Sequence, residues 1–446
     1  MTQRMHRSLP LAVACALVFF GFLAGRAAAS SGSTGTAIPV EVVKVAGGYQ
    51  LLRGGEPYVI KGAGMEIAQL PTFAAHGGNS LRTWSTGREG ISGQELLDEA
   101  AELGLTVALC LDLARERHGF DYDDNEAVAR QLEYARAEVL KYKDHPALLF
   151  WIIGNELNHS ASNPAIFDAI NDISRMIHEV DGKHPTTTAL AGFSAELVAM
   201  LEQRAPDLDF PSFQLYAAID ALPEMISEAG FTAPFMVTEW GATGHWEVKE
   251  TRWGAPIEAT SSEKAQQLLR RYEQVIAANS NQIIGSYVFL WGQKQERTPT
   301  WYGLLLEDGG RTEATDAMHY IWTGEWPAQR SPQVRTMLLD GKNAGQNVTL
   351  LAGMSYSARL DAIDPNGGDL DYQWVIMRES TATEQGGDRE EIPDTIPVKM
   401  EVEGGGRIVL SAPEELGSYR LFARVYDSDG LAGYANIPFM VEPASR

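Results

Sequence analysis

From about residue 39 to residue 326 the hydrophobic positions fall into short apolar runs separated by amphipathic stretches. The runs lie at 58–64, 79–84, 105–113, 148–154, 186–191, 210–215, 235–238 and 283–290. Between them, 94–103, 125–142, 164–180, 195–204, 222–229 and 262–278 carry apolar residues near helical spacing. Such alternation is the signature of parallel strands joined by helices. Eight runs suit a closed (β/α)8 TIM barrel; an open doubly wound sheet is the other arrangement that fits the pattern. Pro164 after Ser162 and Asn163, and Ser261-Ser262 before Glu263, read as helix starts.

Past Glu325-Trp326-Pro327 and Ser331-Pro332 the period changes to two. The stretches 356–360, 372–376 and 419–426 alternate, and Asp364-Pro365-Asn366-Gly367 and Asp427-Ser428-Asp429-Gly430 are turn signals. Residues 331–446 are therefore expected to form a small all-β sandwich of immunoglobulin size, beyond a barrel at 39–326. Within it, 379–393 reads as a mobile loop.

Composition adds an address. Arg4 and Arg7, an apolar run over 9–23 and Ala27-Ala28-Ala29 make a secretory signal over 1–29, followed by a flexible leader at 30–38. The run is short for a membrane span and Arg26 closes it, so no membrane insertion is expected after cleavage. The mature chain would be periplasmic or secreted. Loss of Arg4, Arg7 and Arg26 takes the formal charge from −23 to −26. That surface repels nucleic acid and anionic membranes, and suits a neutral substrate or simple solubility. Cleavage also leaves Cys110 alone, in an apolar run, so no intrachain disulfide can form. No zinc-type Cys/His spacing, phosphate loop or nucleophile elbow occurs; no cofactor or metal is expected.

Two carboxylates carry the chemistry. The apolar run 148–154 ends in Asn155 and Glu156, and the run 235–238 ends in Glu239. In a barrel both lie at the C-terminal mouth, after the fourth and seventh strands. Partial desolvation there raises a carboxyl pKa and suits a proton donor. Read alone, Glu156 is either that donor or an acid at the start of the next helix. Together, two facing carboxylates roughly 5–5.5 Å apart are what glycosidic cleavage with retention requires.

Gly154-Asn155-Glu156 and Thr238-Glu239-Trp240-Gly241 resemble the clan A retaining glycosidases. The stretch 143–156 is especially similar to the barrel of glycoside hydrolase family 2, the β-galactosidase and β-glucuronidase family, over roughly residues 55–325. The resemblance implies Glu156 as acid/base, Glu239 as nucleophile and Asn155 as the donor to a sugar 2-hydroxyl. It implies further that Arg82 holds the nucleophile ionised, that Tyr216 donates to it and that Trp291 forms an apolar floor. Trp84, Trp240, Trp246, Trp253 and Trp301 are candidate stacking rings. Asp112 either binds a hydroxyl or caps the next segment.

The sequence departs from family 2 in two ways. Thr83-Trp84-Ser85 follow Arg82, so the His of the family's Arg-x-x-His pattern is missing, and the barrel follows the leader almost directly. That layout also looks like fungal β-1,3-glucanosyltransferases, which keeps open a β-glucan-active hydrolase, a transglycosylase and an endo-acting cleft. The C-terminal domain resembles polycystic-kidney-disease-type or cadherin-like sandwiches. There Asp364, Asp369, Asp427 and Asp429 either shape turns or hold calcium. A non-catalytic carbohydrate-binding envelope protein and an adhesion protein are the readings from other classes. Oligomeric state is not readable.

Overall fold

The computed structural model describes residues 36–65, 69–87 and 90–444. The segment expected to be a secretory signal, and the expected leader as far as residue 35, lie outside the described residues.

A hairpin comes first: β1 (Val40–Val45) and β2 (Gly48–Arg53) pair antiparallel, with the short β3 (Glu56–Pro57) beside them. The barrel strands are β4 (Gly62–Met65), β5 (Ser80–Arg82), β6 (Thr106–Leu111), β7 (Leu148–Asn155), β8 (Thr186–Ala191), β9 (Ser212–Gln214), β10 (Phe235–Trp240) and β11 (Ile283–Trp291). They close in sequence order, β11 pairing with β4. All the pairings are parallel. Every residue of β7 is buried, which is why its run is uninterruptedly apolar: helices cover one face and the barrel interior the other.

The helices are α1 (Leu70–Ala75), α2 (Gly93–Glu102), α3 (Asn125–Tyr142), α4 (Ala165–Val180), α5 (Ala195–Arg204), α6 (Leu222–Ala229), α7 (Ser261–Arg271) and α8 (Glu313–Thr323). α2 and α7 open on reciprocal capping boxes, Ser92 with Glu95 and Thr260 with Glu263. α7 runs on as one π-helical stretch, Tyr272–Ala277. Pattern alone misses α1, α8 and the hairpin; α1 is only six residues long, too short for a periodic signal.

The inside of the barrel has two ends. At the N-terminal end Ala108, Cys110, Phe150, Ile152, Met236 and Tyr287 pack with Val40 and Leu51 of the hairpin, which plugs the base. Cys110 is fully buried there, and burial pushes its thiol up to about 12. The C-terminal mouth is polar.

The second domain has two four-stranded sheets. One orders β12 (Gln333–Leu339), β14 (Ser355–Ile363), β17 (Arg407–Ser411) and β16 (Met400–Gly404). The other orders β13 (Val348–Leu351), β19 (Ala432–Glu442), β18 (Gly417–Tyr426) and β15 (Asp371–Arg378). Leu360, Leu410, Ile376, Leu421 and Phe439 share its core. Asp364 accepts backbone N–H groups from Asn366 and Gly368, and Asp427 from Asp429 and Leu431, so both shape turns. Among the described residues no group of three or more His, Cys, Asp or Glu is placed to hold a metal ion, and no helix is long and apolar enough to cross a membrane.

The domains join through α7. Ser262 and Ser261 hydroxyls accept the Val334 and Tyr434 amides at 2.8 and 3.0 Å. Behind them Lys264 Nζ meets Glu258 at 2.5 Å and donates to Tyr434 Oη at 3.2 Å, all buried.

Candidate active site

Three barrel strands lose register just before the mouth. The ladders break between Ile152 and Asn155 in β7, between Val237 and Glu239 in β10, and between Val288 and Trp291 in β11. An irregularity of this kind re-aims the side chains beyond it. In β7 the turn is made at Gly154, whose φ of +72° is open to glycine and whose absent Cβ would meet Leu157 at 2.5 Å. Glu156 follows at φ +50°, a left-handed backbone uncommon for a residue with a side chain.

Glu239 is 5% exposed and receives three donors. Arg82 and the Trp84 indole N–H (2.9 Å) bond Oε1; the Tyr216 hydroxyl bonds Oε2 at 3.0 Å. Arg82 has no exposed surface, and its guanidinium lies 4.9 Å from the Trp84 ring centre. Gly64 leaves room for that ring: a Cβ there would stand 2.9 Å from it. The other arm of Arg82 reaches Asn155 Oδ1, which also accepts from Gln214 Nε2 at 2.9 Å. With Oδ1 doubly engaged, the Asn155 amide nitrogen is the end left to donate to a ligand.

Glu156 lines the same cavity, of about 1180 Å³. Its carboxyl is raised to about 8, first by burial and then by the charge of Glu239, with Arg82 and Arg117 pulling the other way. One carboxyl is thus protonated at neutral pH beside another held by three donors, the pairing that a proton donor and a nucleophile require.

Arg82, Trp84, Asn155, Glu156, Tyr216 and Glu239 therefore meet in one place. Trp240 and Trp291 do not. Both face outward: Trp240 against Tyr272, with 6.0 Å between ring centres, and Trp291 against Phe73 and Trp322 at 5.5 and 5.6 Å. Since the register break points Glu239 inward, its neighbour Trp240 must point out. The break in β11 likewise turns Trp291 away and gives the apolar floor to Phe289, 5.7 Å from Trp84 and 6.0 Å from Tyr216. Of the other candidate rings, Trp246 lines the cavity and is 59% exposed. Trp301 is buried with its indole on Thr243 O, and Trp253 lies outside the cavity lining. Asp112 lines the cavity and pairs with Arg115 at 3.3 Å.

Sequence reasoning missed Phe289, Gln214, Arg117, His159 and Lys294, as well as 380–382 and 384–388 of the second domain, all of which line the cavity. The odd positions Tyr287 and Phe289 of one strand could have suggested Phe289; nothing local marks 380–388 as part of a barrel's mouth.

Residues 89–251 match the family model described as glycosyl hydrolases family 2, TIM barrel domain. The barrel is similar to that of family 2. Solved structures share its fold at low identity. Bacteroides uniformis β-glucuronidase 2, covalently bound to cyclophellitol-6-carboxylate aziridine, is 12% identical with a TM-score of 0.51, over 91% of this chain and 48% of that one. A Bacteroides uniformis β-glucuronidase gives 12%, 0.50, 91% and 48%. The chain thus spans about half the length of the structures it matches. No curated protein matches it.

Proposed function

We propose that the protein is a retaining β-glycosidase acting on neutral oligo- or polysaccharides after export from the cytoplasm. The observation that carries this is the pair Glu156 and Glu239 on one cavity, the first protonated at neutral pH and the second bonded by Arg82, Trp84 and Tyr216. Glu156 gives its proton to the glycosidic oxygen as Glu239 Oε2 or Oε1 attacks the anomeric carbon. The bond to the leaving sugar breaks and a glycosyl ester of Glu239 forms. Glu156, now a carboxylate, takes a proton from an incoming water, whose oxygen displaces Glu239. A sugar hydroxyl in place of water gives transglycosylation, to a β-glucan acceptor for example. Asn155 Nδ2 would donate to the 2-hydroxyl, a contact that strengthens as the oxocarbenium character develops.

The charge of the walls favours neutral sugars over uronic acids. Each described cation lining the cavity already faces an acid: Arg115 with Asp112, Arg117 with Asp388, Lys294 with Glu296 and Arg297 with Glu390. Burial lowers the pKa of His159 and His245, the latter to about 4, so both are neutral. The solved relatives that are β-glucuronidases set the alternative, which would need a free cation for the sugar carboxylate.

The test is product analysis on β-1,2-, β-1,3-, β-1,4- and β-1,6-glucans, mannan, galactan and aryl β-glycosides, glucuronides included. Glu239→Gln should reduce kcat by roughly four orders of magnitude or more with the fold unchanged. Retained turnover would reject Glu239 as nucleophile, and preferred cleavage of the glucuronide would reject the neutral-sugar reading.

A further inference from the structure

The connection between β15 and β16 leaves the sandwich at Glu379 and returns where Asp394 O accepts the Arg378 amide and Ile396 pairs with Ile376. The excursion between them carries almost no regular structure, yet it is held at both ends and in the middle. At its root, Glu379 is clamped by Arg420, with Nη2 at 2.7 Å and Nε at 3.1 Å. The same guanidinium donates to Pro256 O of the barrel at 2.8 Å and to Asn436, which in turn bonds Glu258 of the buried Lys264 pair. In its middle, Arg117 from the connection after β6 donates to Gly386 O at 3.2 Å and meets Asp388 at 3.4 Å, while His118 meets the other Asp388 oxygen at 2.9 Å. From the opposite side, Lys294, after β11, donates to Gly387 O at 2.8 Å, and the Arg297 amide donates to buried Glu390 at 2.6 Å.

Gly386 and Gly387 are what let the backbone come so near. Both have left-handed φ, +60° and +77°, and a Cβ on Gly386 would stand 2.8 Å from Arg117 Nη2 and 3.1 Å from His159. Residues 380–388 consequently form part of the cavity wall that contains Glu156 and Glu239. The link to the chemistry is short: Arg117, which holds the loop, also lies 3.5 Å from the carbonyl oxygen of Glu156. Glu384 and Gln385 are exposed on this wall.

We propose that this sandwich loop is a subsite wall on the leaving-group side, where Glu384 and Gln385 accept and donate hydrogen bonds to the hydroxyls of the sugar being released, and where the loop limits how long that leaving sugar chain can be. The side is inferred from the loop's anchor, since Arg117 also reaches the backbone of Glu156, the group that protonates the leaving oxygen. The inference rests on the glycosidase reading above. It makes the second domain part of the specificity of the first.

The experiment compares wild type, a variant with 381–387 replaced by a shorter Gly/Ser turn, and the double variant Glu384→Ala/Gln385→Ala. Each is assayed on a ladder of β-linked oligosaccharides of about two to six units and on an aryl β-glycoside, with Tm as a check on folding. The shortened loop should raise the ratio of kcat/KM on the longest to that on the shortest substrate by about tenfold. The double variant should raise KM for the disaccharide about three- to tenfold, the size of one or two lost sugar hydrogen bonds. An unchanged ratio in a folded short-loop variant overturns the proposal. Should that variant fail to fold, an unchanged disaccharide KM in the double variant overturns it instead. Wild type that cleaves nothing on the ladder and no aryl glycoside overturns the glycosidase reading itself, a result distinct from an active enzyme with an unaltered length profile.

Discussion

The base and the mouth of this barrel are enclosed by the same eight strands and filled with opposite materials. At the base, Phe150 packs edge-on to Phe210 and Tyr287, with centroids at 5.7 and 6.2 Å, among Ala108, Ile152 and Met236. At the mouth, the same tube holds Arg82, Asn155, Gln214 and Glu239, all buried. Apolar burial contributes about 25 cal/mol per Å² at the base. Burying ions costs several kcal/mol each before pairing offsets it. The apolar base and the helix-facing core thus stabilise the barrel, and the mouth is free to hold groups chosen for their chemistry.

The largest effect that would break this division is at the base. Phe150→Ala should cost about 3–5 kcal/mol in denaturant unfolding, since it opens a cavity in a fully buried cluster. Activity per folded molecule should change little. Lost activity without lost stability would mean the base shapes the site directly.

A second effect, of opposite sign, is expected at the mouth. The Glu156 carboxyl rises from 4.5 to about 8 through burial and the neighbouring Glu239 charge. The folded protein thus keeps a proton that the unfolded chain loses above about pH 4.5, and stability falls as pH rises from there to about 8. Glu156→Gln escapes that loss. Its Tm should match wild type near pH 4.5 and exceed it by several degrees above pH 8, by at most about 5 kcal/mol. The same ionisation should set the alkaline limb of wild-type kcat/KM near pH 8. A Tm difference that does not vary with pH would show that Glu156 is not buried as an acid.

The two ends also differ in how far the sequence reveals them. Most of the helix ring is periodic, and the uniform run 148–154 places β7 (Leu148–Asn155) to within a residue. The carboxylates were legible too, because an acid that ends an apolar run stands out from its neighbours. What pattern could not give was orientation past a register break: strand alternation carries no mark of the irregularities that send Trp240 and Trp291 outward. Nor could it give the contribution of 380–388, whose contacts with Arg117 and Lys294 span 269 and 93 positions of chain. Long-range contacts of that kind depend on how two domains dock, and docking here is set by the buried Lys264, Glu258 and Arg420 network rather than by any local motif.

The register break in β11 offers the finest test of the division, because two aromatic residues, two positions apart, fall on opposite sides of it. Phe289 is 7% exposed and sits under Trp84 and Tyr216; Trp291 has no exposed surface and lies between Phe73 and Trp322. Phe289→Leu removes an edge-on partner of the two residues that bond Glu239, at a contact worth about 1 kcal/mol. It should lower kcat/KM about fivefold with little change in Tm. Trp291→Phe shrinks a ring in the helix-facing core and should lower Tm while leaving kcat/KM near wild type. If instead Trp291→Phe cost activity and Phe289→Leu cost only stability, β11 would be turned the other way about its axis, and the floor of the cleft would belong to Trp291 after all.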